Sequence, residues 1–362
     1  MADTKISNAM SVEQWDKKHH VAYVRSNRFK LYMGKDENAI IQVKHDLTKK
    51  EGDAITINLI GALPTGSGPN DGSTDLVGNE KALPNDGHRV SVEIVRDATL
   101  VKVDEEKKSP IDIRNAGKVA LKELQMRYLR DSIIEGMASV GGKAFADATA
   151  AEKNAWMDAN SDRVLFGSEV GNYTAGDFAA SLANIDGTND RATADLVELA
   201  KSQAQGATVA NSDGIRPFKY GEDEETFVMF VGSNTFRDIK RDLRTYHKDA
   251  MPDGKNNPLF KGSESLLWDG VVIRHIPEIK ALAGVGAAGI DVEPYFFCGA
   301  QALAAVWGQL TKTTARKEDD YGLKHGVGFM EMRGVEKVLY GQGTAGVQWG
   351  MLSGFAASIP NA

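Results

Sequence analysis

The sequence predicts an α+β protein that carries long limbs outside its core, and three observations predict it. Two stretches of alternating apolar residues flank a tip with almost no apolar content, one helical stretch far exceeds ordinary length, and the second half of the chain mixes helices with strands. At 362 residues the chain is too long for one ordinary core. Hydrophobic content of 42% with 26% charged residues is that of a globular protein. No run of about 18 apolar residues occurs, and the opening MADTKISNAM lacks the apolar centre of a secretory leader, so the reading is a soluble cytosolic chain with no membrane partner.

Residues 1–50 read as an extended polar arm with scattered apolar anchors, among them Trp15, Tyr23, Phe29, Leu31 and Tyr32, which follow no sustained period. In DAITINLI, Ile55, Ile57 and Leu59 alternate with Thr56 and Asn58. In VSVEIVRD, Val90, Val92 and Ile94 alternate with Ser91 and Glu93, the signature of half-buried strands. Between them GALPTGSGPNDGSTDLVGNEKALPNDG (61–87) is too poor in apolar side chains to offset the entropy of ordering it. A two-stranded ribbon is marginal alone in water, so its apolar face must lie on something. TLVKV (99–103) continues the return leg.

The next stretch predicts a helix over 109–140, with Ser109 as cap, Pro110 in the first turn and Gly141 and Gly142 at the end. Ile113, Ala116, Ala120, Leu124 and Tyr128 recur at three- and four-residue steps, Leu121, Leu129, Ile133 and Met137 widen the stripe, and Arg114 and Lys118 stand among the polar remainder. At about 1.5 Å per residue it forms a strut of roughly 45 Å. Beyond residue 185 the pattern gives a helix near 189–205, a strand at 226–232, a helix from Ser233, strands at 270–276 and YFFC, a short helix AQALAAVWG, and strands at 326–334 and 335–341.

Motifs for chemistry are scarce. GVGAAG (284–289) has the letters of a dinucleotide fingerprint, but Pro294 and the aromatic run behind it forbid the helix that such a loop must open. The seven histidines never share metal-ligand spacing, so neither metal nor cofactor is expected. Asp71, Ser73 and Asp75 begin like a calcium loop that then lacks its glycine and its final carboxylate. The single cysteine, Cys298, excludes an internal disulfide and sits in an apolar run, where an inert buried thiol is expected. A net charge of -7 argues against a protein whose main task is gripping phosphate backbones. The most basic feature is a stripe of Arg237, Arg241 and Arg244 on one helix, interleaved with Asp238 and Asp242, which suits an interface or a solvated face. The alternative from another class is a hydrolase built from scattered acidic residues, GEDEE (221–225) and KEDD (317–320), with His275 or His325.

The order of parts resembles that of the major capsid proteins of tailed bacteriophages, the Hong Kong 97 type of fold, and more narrowly the capsid family typified by podovirus N4. The segments that carry the resemblance are KKEGDAITINLIGAL, DLVGNEKAL, FVMFVGSNTFRDIKRDL, NPLFKGSESLLWDGVVIRHIPEI, FFCGAQALAAVWGQ and EDDYGLKHGVGFMEMRGVEK, which span residues 49–337. The resemblance implies an N-terminal arm (1–50), an extended hairpin loop (51–105) that overlays a neighbouring subunit, a peripheral domain (106–184) with the spine helix, an axial domain (185–305), and return strands with a C-terminal segment (306–362). It implies a non-enzymatic coat protein of a double-stranded DNA phage that builds an icosahedral shell from pentamers and hexamers of itself. A scaffolding protein, a portal and decoration proteins are its implied partners, and packaged DNA meets it only non-specifically. Some proteins of this fold crosslink Lys to Asn between subunits; Lys81, Asn79 and Asn85 are chemically suitable, but no motif licenses that reaction here. Under this reading the subunit contacts are expected at Trp15, Tyr23, Ile55, Ile57, Leu59, Val90, Val92, Ile94, Arg114, Lys118, Arg237, Arg241 and Arg244.

Overall fold

The computed structural model describes residues 27–45, 53–65, 75–109, 112–220, 225–249, 265–319, 321 and 323–360, without the side chains of 114, 220, 245–249 and 317–319. In chain order its elements are β1 (Met33–Gly34), β2 (Ile41–Lys44), β3 (Ala54–Ile60), β4 (Asn85–Ser91), β5 (Glu93–Lys102), α1 (Val103–Lys108), α2 (Ile113–Ala138), α3 (Ala150–Ala159), β6 (Val164–Phe166), α4 (Phe178–Ala183) and α5 (Ala194–Gly206). There follow β7 (Lys219–Tyr220), β8 (Glu225–Val231), α6 (Ser233–Asp249), β9 (Ser265–Trp268), β10 (Val271–His275), β11 (Asp291–Cys298), β12 (Leu303–Asp319), β13 (Lys324–Lys337), β14 (Leu339–Tyr340), β15 (Val347–Gln348) and β16 (Met351–Ser358). They fall into two units: a smaller one holding Ile94–Leu129 and Gln309–Met332, and a larger one of Arg28–Glu93, Arg130–Gly308 and Arg333–Ala362.

The larger unit is organised by a seven-stranded sheet of order β6-β16-β11-β8-β10-β9, with β7 on β8. Phe227–Val231 of β8 and Tyr295–Cys298 of β11 are apolar without interruption because both faces are covered. On one face Leu196, Val197 and Ala200 of α5 and Phe236, Ile239 and Leu243 of α6 meet Phe227, Met229, Val231, Tyr295 and Phe297. On the other, Trp156 and Met157 of α3 and Phe178 and Leu182 of α4 meet Phe166, Val292 and Phe355. Helix α3 opens with a reciprocal capping box between Thr149 and Glu152, and α5 with a Thr193 cap. Phe29, one of the apolar anchors of the arm, is buried with its ring 5.0 Å from that of Phe230. GVGAAG forms a loop ending in a 3-10 turn, Ala287–Gly289, and a strand follows, as Pro294 requires.

The expected short helix AQALAAVWG is instead the start of β12, whose Leu303–Val306 pair in parallel with β2. Alanine-rich composition favours a helix, but Leu303 to Val306 are wholly buried, with Ala304 and Val306 packed under the β3–β4 hairpin, and tertiary packing overrides the local preference.

In the smaller unit β12, β13 and β5 lie side by side, and α2 covers one face of them. Leu121 and Phe329 are buried there, and the Tyr128 ring lies 6.5 Å from that of Phe329. Gln125 donates to the buried carboxylate of Glu331 at 2.8 Å, and the Thr311 hydroxyl donates to the same oxygen at 2.9 Å. The long helix begins later than expected. Ser109 follows α1, its backbone N–H bonding the Glu105 carbonyl, while the Asp112 carboxylate accepts from Asn115 N at 3.0 Å and acts as the cap. Both glycines beyond its end have positive φ, 57° at Gly141 and 83° at Gly142, which stops the helix as expected.

Candidate assembly surface

The hairpin shaft pairs Ile55 with Val90, Ile57 with His88 and Leu59 with Asp86. Its apolar face is occupied within the chain: Ile57, Leu59 and Val90 are buried against Ala304, Val306 and Val338, with Ile55 and Val92 partly buried beside them. The expectation that Ile57, Leu59 and Val90 lie on a neighbouring subunit is therefore corrected. A half-apolar ribbon needs a cover, and the small side chains of β12 provide one in the same chain.

Two carboxylates pin the return strand. Glu336 of β13 accepts from the backbone N–H and the hydroxyl of Ser91, both at 3.2 Å, and its Oε2 lies 3.8 Å from His88 Nε2. Burial raises the Glu336 pKa and lowers that of His88, each toward its neutral form. Asp86 accepts from the backbone N–H groups of Gly341 and Gly87, which hold its carboxyl below the usual range. The strands cross closely at this point, and a Cβ on Gly334 would come 1.8 Å from the Ser91 carbonyl oxygen. The bonds from Ser91 to Glu336 and from Gly341 to Asp86 were not apparent in the sequence, because they join residues 245 and 255 positions apart.

Beyond the shaft most of the hairpin's described residues are uncovered. Ile60, Leu63, Leu76, Val77 and Leu83 are exposed, Val77 at 86%. Gly61 and Ala62 rest on Ala210, whose carbonyl accepts from Ala62 N at 3.0 Å. Asp71 and Ser73 lie outside the described residues, as do Trp15 and Tyr23.

The remaining expected contact residues separate by environment. Ile94 of β5 is 60% exposed. Lys118 is exposed and lines a hollow of about 560 Å³ in the smaller unit with Leu121, Lys122, Gln125, Val327 and Phe329. Arg114 stands in α2, its side chain outside the described residues. Arg237 is tied down within the chain, donating to the Ile359 carbonyl at 2.6 Å and to Asp238 at 2.8 Å, whereas Arg241 and Arg244 are exposed.

Among the described residues no group of His, Cys, Asp and Glu is placed to hold a metal ion. Burial raises the thiol of Cys298 and the phenol of Tyr295, and brings Lys337 down to about 7.

The phage capsid protein family model matches residues 3–352. The capsid asymmetric unit of cyanophage Pam1 is 32% identical, with 100% of both chains covered and a TM-score of 0.89. This chain belongs to the phage capsid protein family. The capsid of Ralstonia phage GP4 (19% identity, 100% of both chains, TM-score 0.74) and the acid-stable capsid of Helicobacter pylori bacteriophage KHP30 (12% identity, 96% of this chain and 95% of that one, TM-score 0.64) share its fold. No curated protein sequence matches. The chain thus has the Hong Kong 97-type capsid fold and is a phage major capsid protein, a structural protein of the shell, and the hydrolase alternative is not supported.

Proposed function

We propose that the subunit assembles through head-to-tail contacts in which the hairpin tip of one copy reaches a neighbour. The observation that carries this is the contrast along the hairpin: the shaft is buried in its own chain, while Leu63, Leu76, Val77 and Leu83 stand uncovered at its end. Burying a Leu or Val side chain gains about 1.5–3 kcal/mol, so four such residues form a contact of useful strength. A head-to-tail contact repeats into closed rings, and many simultaneous contacts make the shell far stronger than any pair. Pentamers and hexamers then need slightly different tips, for which the glycine-rich sequence of 61–87 is suited. In the same reading 185–305 is the axial domain at the capsomer centre, 106–184 the peripheral domain, and the arm, with Trp15 and Tyr23, a further contact. A scaffolding protein, a portal and decoration proteins complete the particle, and the enclosed double-stranded DNA is met without sequence preference.

Replacing residues 62–84 by a two-residue Asn-Gly turn tests the proposal. The expected product is a folded, soluble subunit that forms no closed shells by electron microscopy. Normal particles from this variant would overturn it.

A further inference from the structure

We infer that Glu336, Asp86 and Asn211 are positioning residues, which together fix the direction in which the hairpin leaves the subunit; the consequence for shells rests on the assembly reading above. The hairpin is a two-stranded sheet of its own, so among the described strands no ladder to a third one sets its angle. Its hold on the body comes from Ile57, Leu59 and Val90 pressed on Ala304, Val306 and Val338. Burial of that kind is non-directional and lets a ribbon turn on its floor at little cost. Hydrogen bonds weaken steeply away from their preferred angle, so the polar anchors set the direction.

Three anchors are placed to do this. At the near end of the shaft Glu336 accepts from the Ser91 N–H and hydroxyl, both at 3.2 Å. Gly334, two residues earlier on β13, permits that reach, because a Cβ there would come 1.8 Å from the Ser91 carbonyl oxygen. Five residues back along β4, roughly 17 Å away, Asp86 accepts from the Gly341 N–H. Two points on one strand fix its line but leave the ribbon free to roll about it. The third anchor stands on the other leg, just past β3. There the Ala62 N–H donates to the Ala210 carbonyl at 3.0 Å, and the Asn211 amide donates to the Ala62 carbonyl at 3.3 Å. Ala210 and Asn211 hold φ of 48° and 61°, the left-handed region that asparagine enters more readily than most residues, so the loop is sharply bent where it grips the hairpin. Aim matters because the limb is long. About ten extended residues span roughly 33 Å, so a swing of about 10° moves the far end by roughly 6 Å, almost two residues of strand register.

The test uses the full-length protein carrying nitroxide labels. Cys298 is the chain's one cysteine and is buried, so labels attach at introduced thiols only. Leu63→Cys beyond the shaft and Val170→Cys on the same unit replace residues exposed by 53% and 63%, and pulsed electron paramagnetic resonance reads the distribution of distances between the two labels. In E336A/D86A/N211A that distribution is expected to broaden at least twofold. In E336Q/D86N, whose amide oxygens accept the same bonds, it is expected to stay as narrow as in the parent. Val90→Ala separates aim from energy: it thins the apolar floor contact and lowers the denaturation midpoint, yet should leave the distribution narrow. E336A/D86A carries the same expectation as the triple variant and is read in its place if the latter does not fold. Electron microscopy then reads the consequence, with open shells and mixed diameters from E336A/D86A/N211A and fewer but uniform particles from Val90→Ala. Distances that stay narrow in E336A/D86A/N211A, or that Val90→Ala broadens as much, overturn the inference. Broadened distances with uniform shells of normal diameter uphold the positioning role and refute instead the reading in which the tip meets a neighbour.

Discussion

The two large sheets differ in completeness rather than in kind. In the larger unit, Phe227 to Val231 of β8 and all eight residues of β16 are buried, because helices cover both faces. In the smaller unit α2 covers one face only, and Ile94, Leu100 and Leu310 of the other remain in water. The first sheet is finished within a single chain. The second is finished on one face only. Mutations in the two sheets should therefore fail in different assays.

The largest effect belongs in the finished sheet. Phe297 is fully buried with its ring 5.1 Å from that of Phe227. Phe297→Ala removes that packing and leaves a cavity, at a cost of about 3–5 kcal/mol, a large part of the 5–15 kcal/mol that holds an ordinary domain together. Soluble yield should collapse, and the denaturation midpoint of whatever survives should fall. A variant as soluble and stable as the wild type would show that this sheet is not the stability centre.

A smaller, pH-dependent effect arises at Lys337, buried in the larger unit. Its ammonium donates to the Ser139 carbonyl at 2.9 Å and lies 5.2 Å from the Trp156 ring centroid. Burial lowers its pKa from 10.5 to about 7. Between about pH 7 and 10.5 the unfolded chain therefore holds a proton that the folded chain has released, so stability rises with pH across that window, by up to about 1.4 kcal/mol per unit. Below pH 7 both states are protonated and the contribution is flat, at its least favourable. Lys337→Met should lose the rise and be the more stable protein at pH 6. Equal slopes in the two proteins, measured by urea denaturation from pH 6 to 10, would show that the lysine is not the cause.

Much of this architecture was legible in the sequence, and the failures have physical causes. Period-two alternation marked β3 and, from Val90 to Ile94, the end of β4 and the start of β5, and continuous apolar runs marked β8 and β11, because burial leaves those patterns directly. The beginning of β12 was misread as a helix, since alanine reports small size and not which element needs it. β16, MLSGFAAS, was overlooked, because Ser353, Gly354 and the alanines look polar or neutral until neighbouring strands close over them. On the candidate surface the composition of 61–87 marked the tip as poor in apolar side chains. The burial of Ile57, Leu59 and Val90 within their own chain could not be read in this way, as their cover lies more than 200 residues away. Nor could the bonds from Glu336 to Ser91 and from Gly341 to Asp86, which only the folded chain brings together.

The smallest effect makes the most direct comparison, because one strand, β12, runs through both units. Val306 and Leu310 lie four residues apart on β12, and alternation puts same-parity positions on one side of a strand. Val306 is fully buried beneath the hairpin shaft, while Leu310 is 57% exposed on the uncovered face. Val306→Ala deletes two buried methyl groups and should cost the isolated subunit about 2 kcal/mol. Leu310→Ala deletes more carbon, yet should change the isolated subunit by no more than about 0.5 kcal/mol. In shell assembly the weight shifts: Leu310→Ala should raise the subunit concentration needed to form particles although its denaturation curve matches the wild type. If Leu310→Ala instead destabilises the free subunit as much as Val306→Ala, the far half of β12 is covered within its own chain, and the smaller unit is as finished as the larger one.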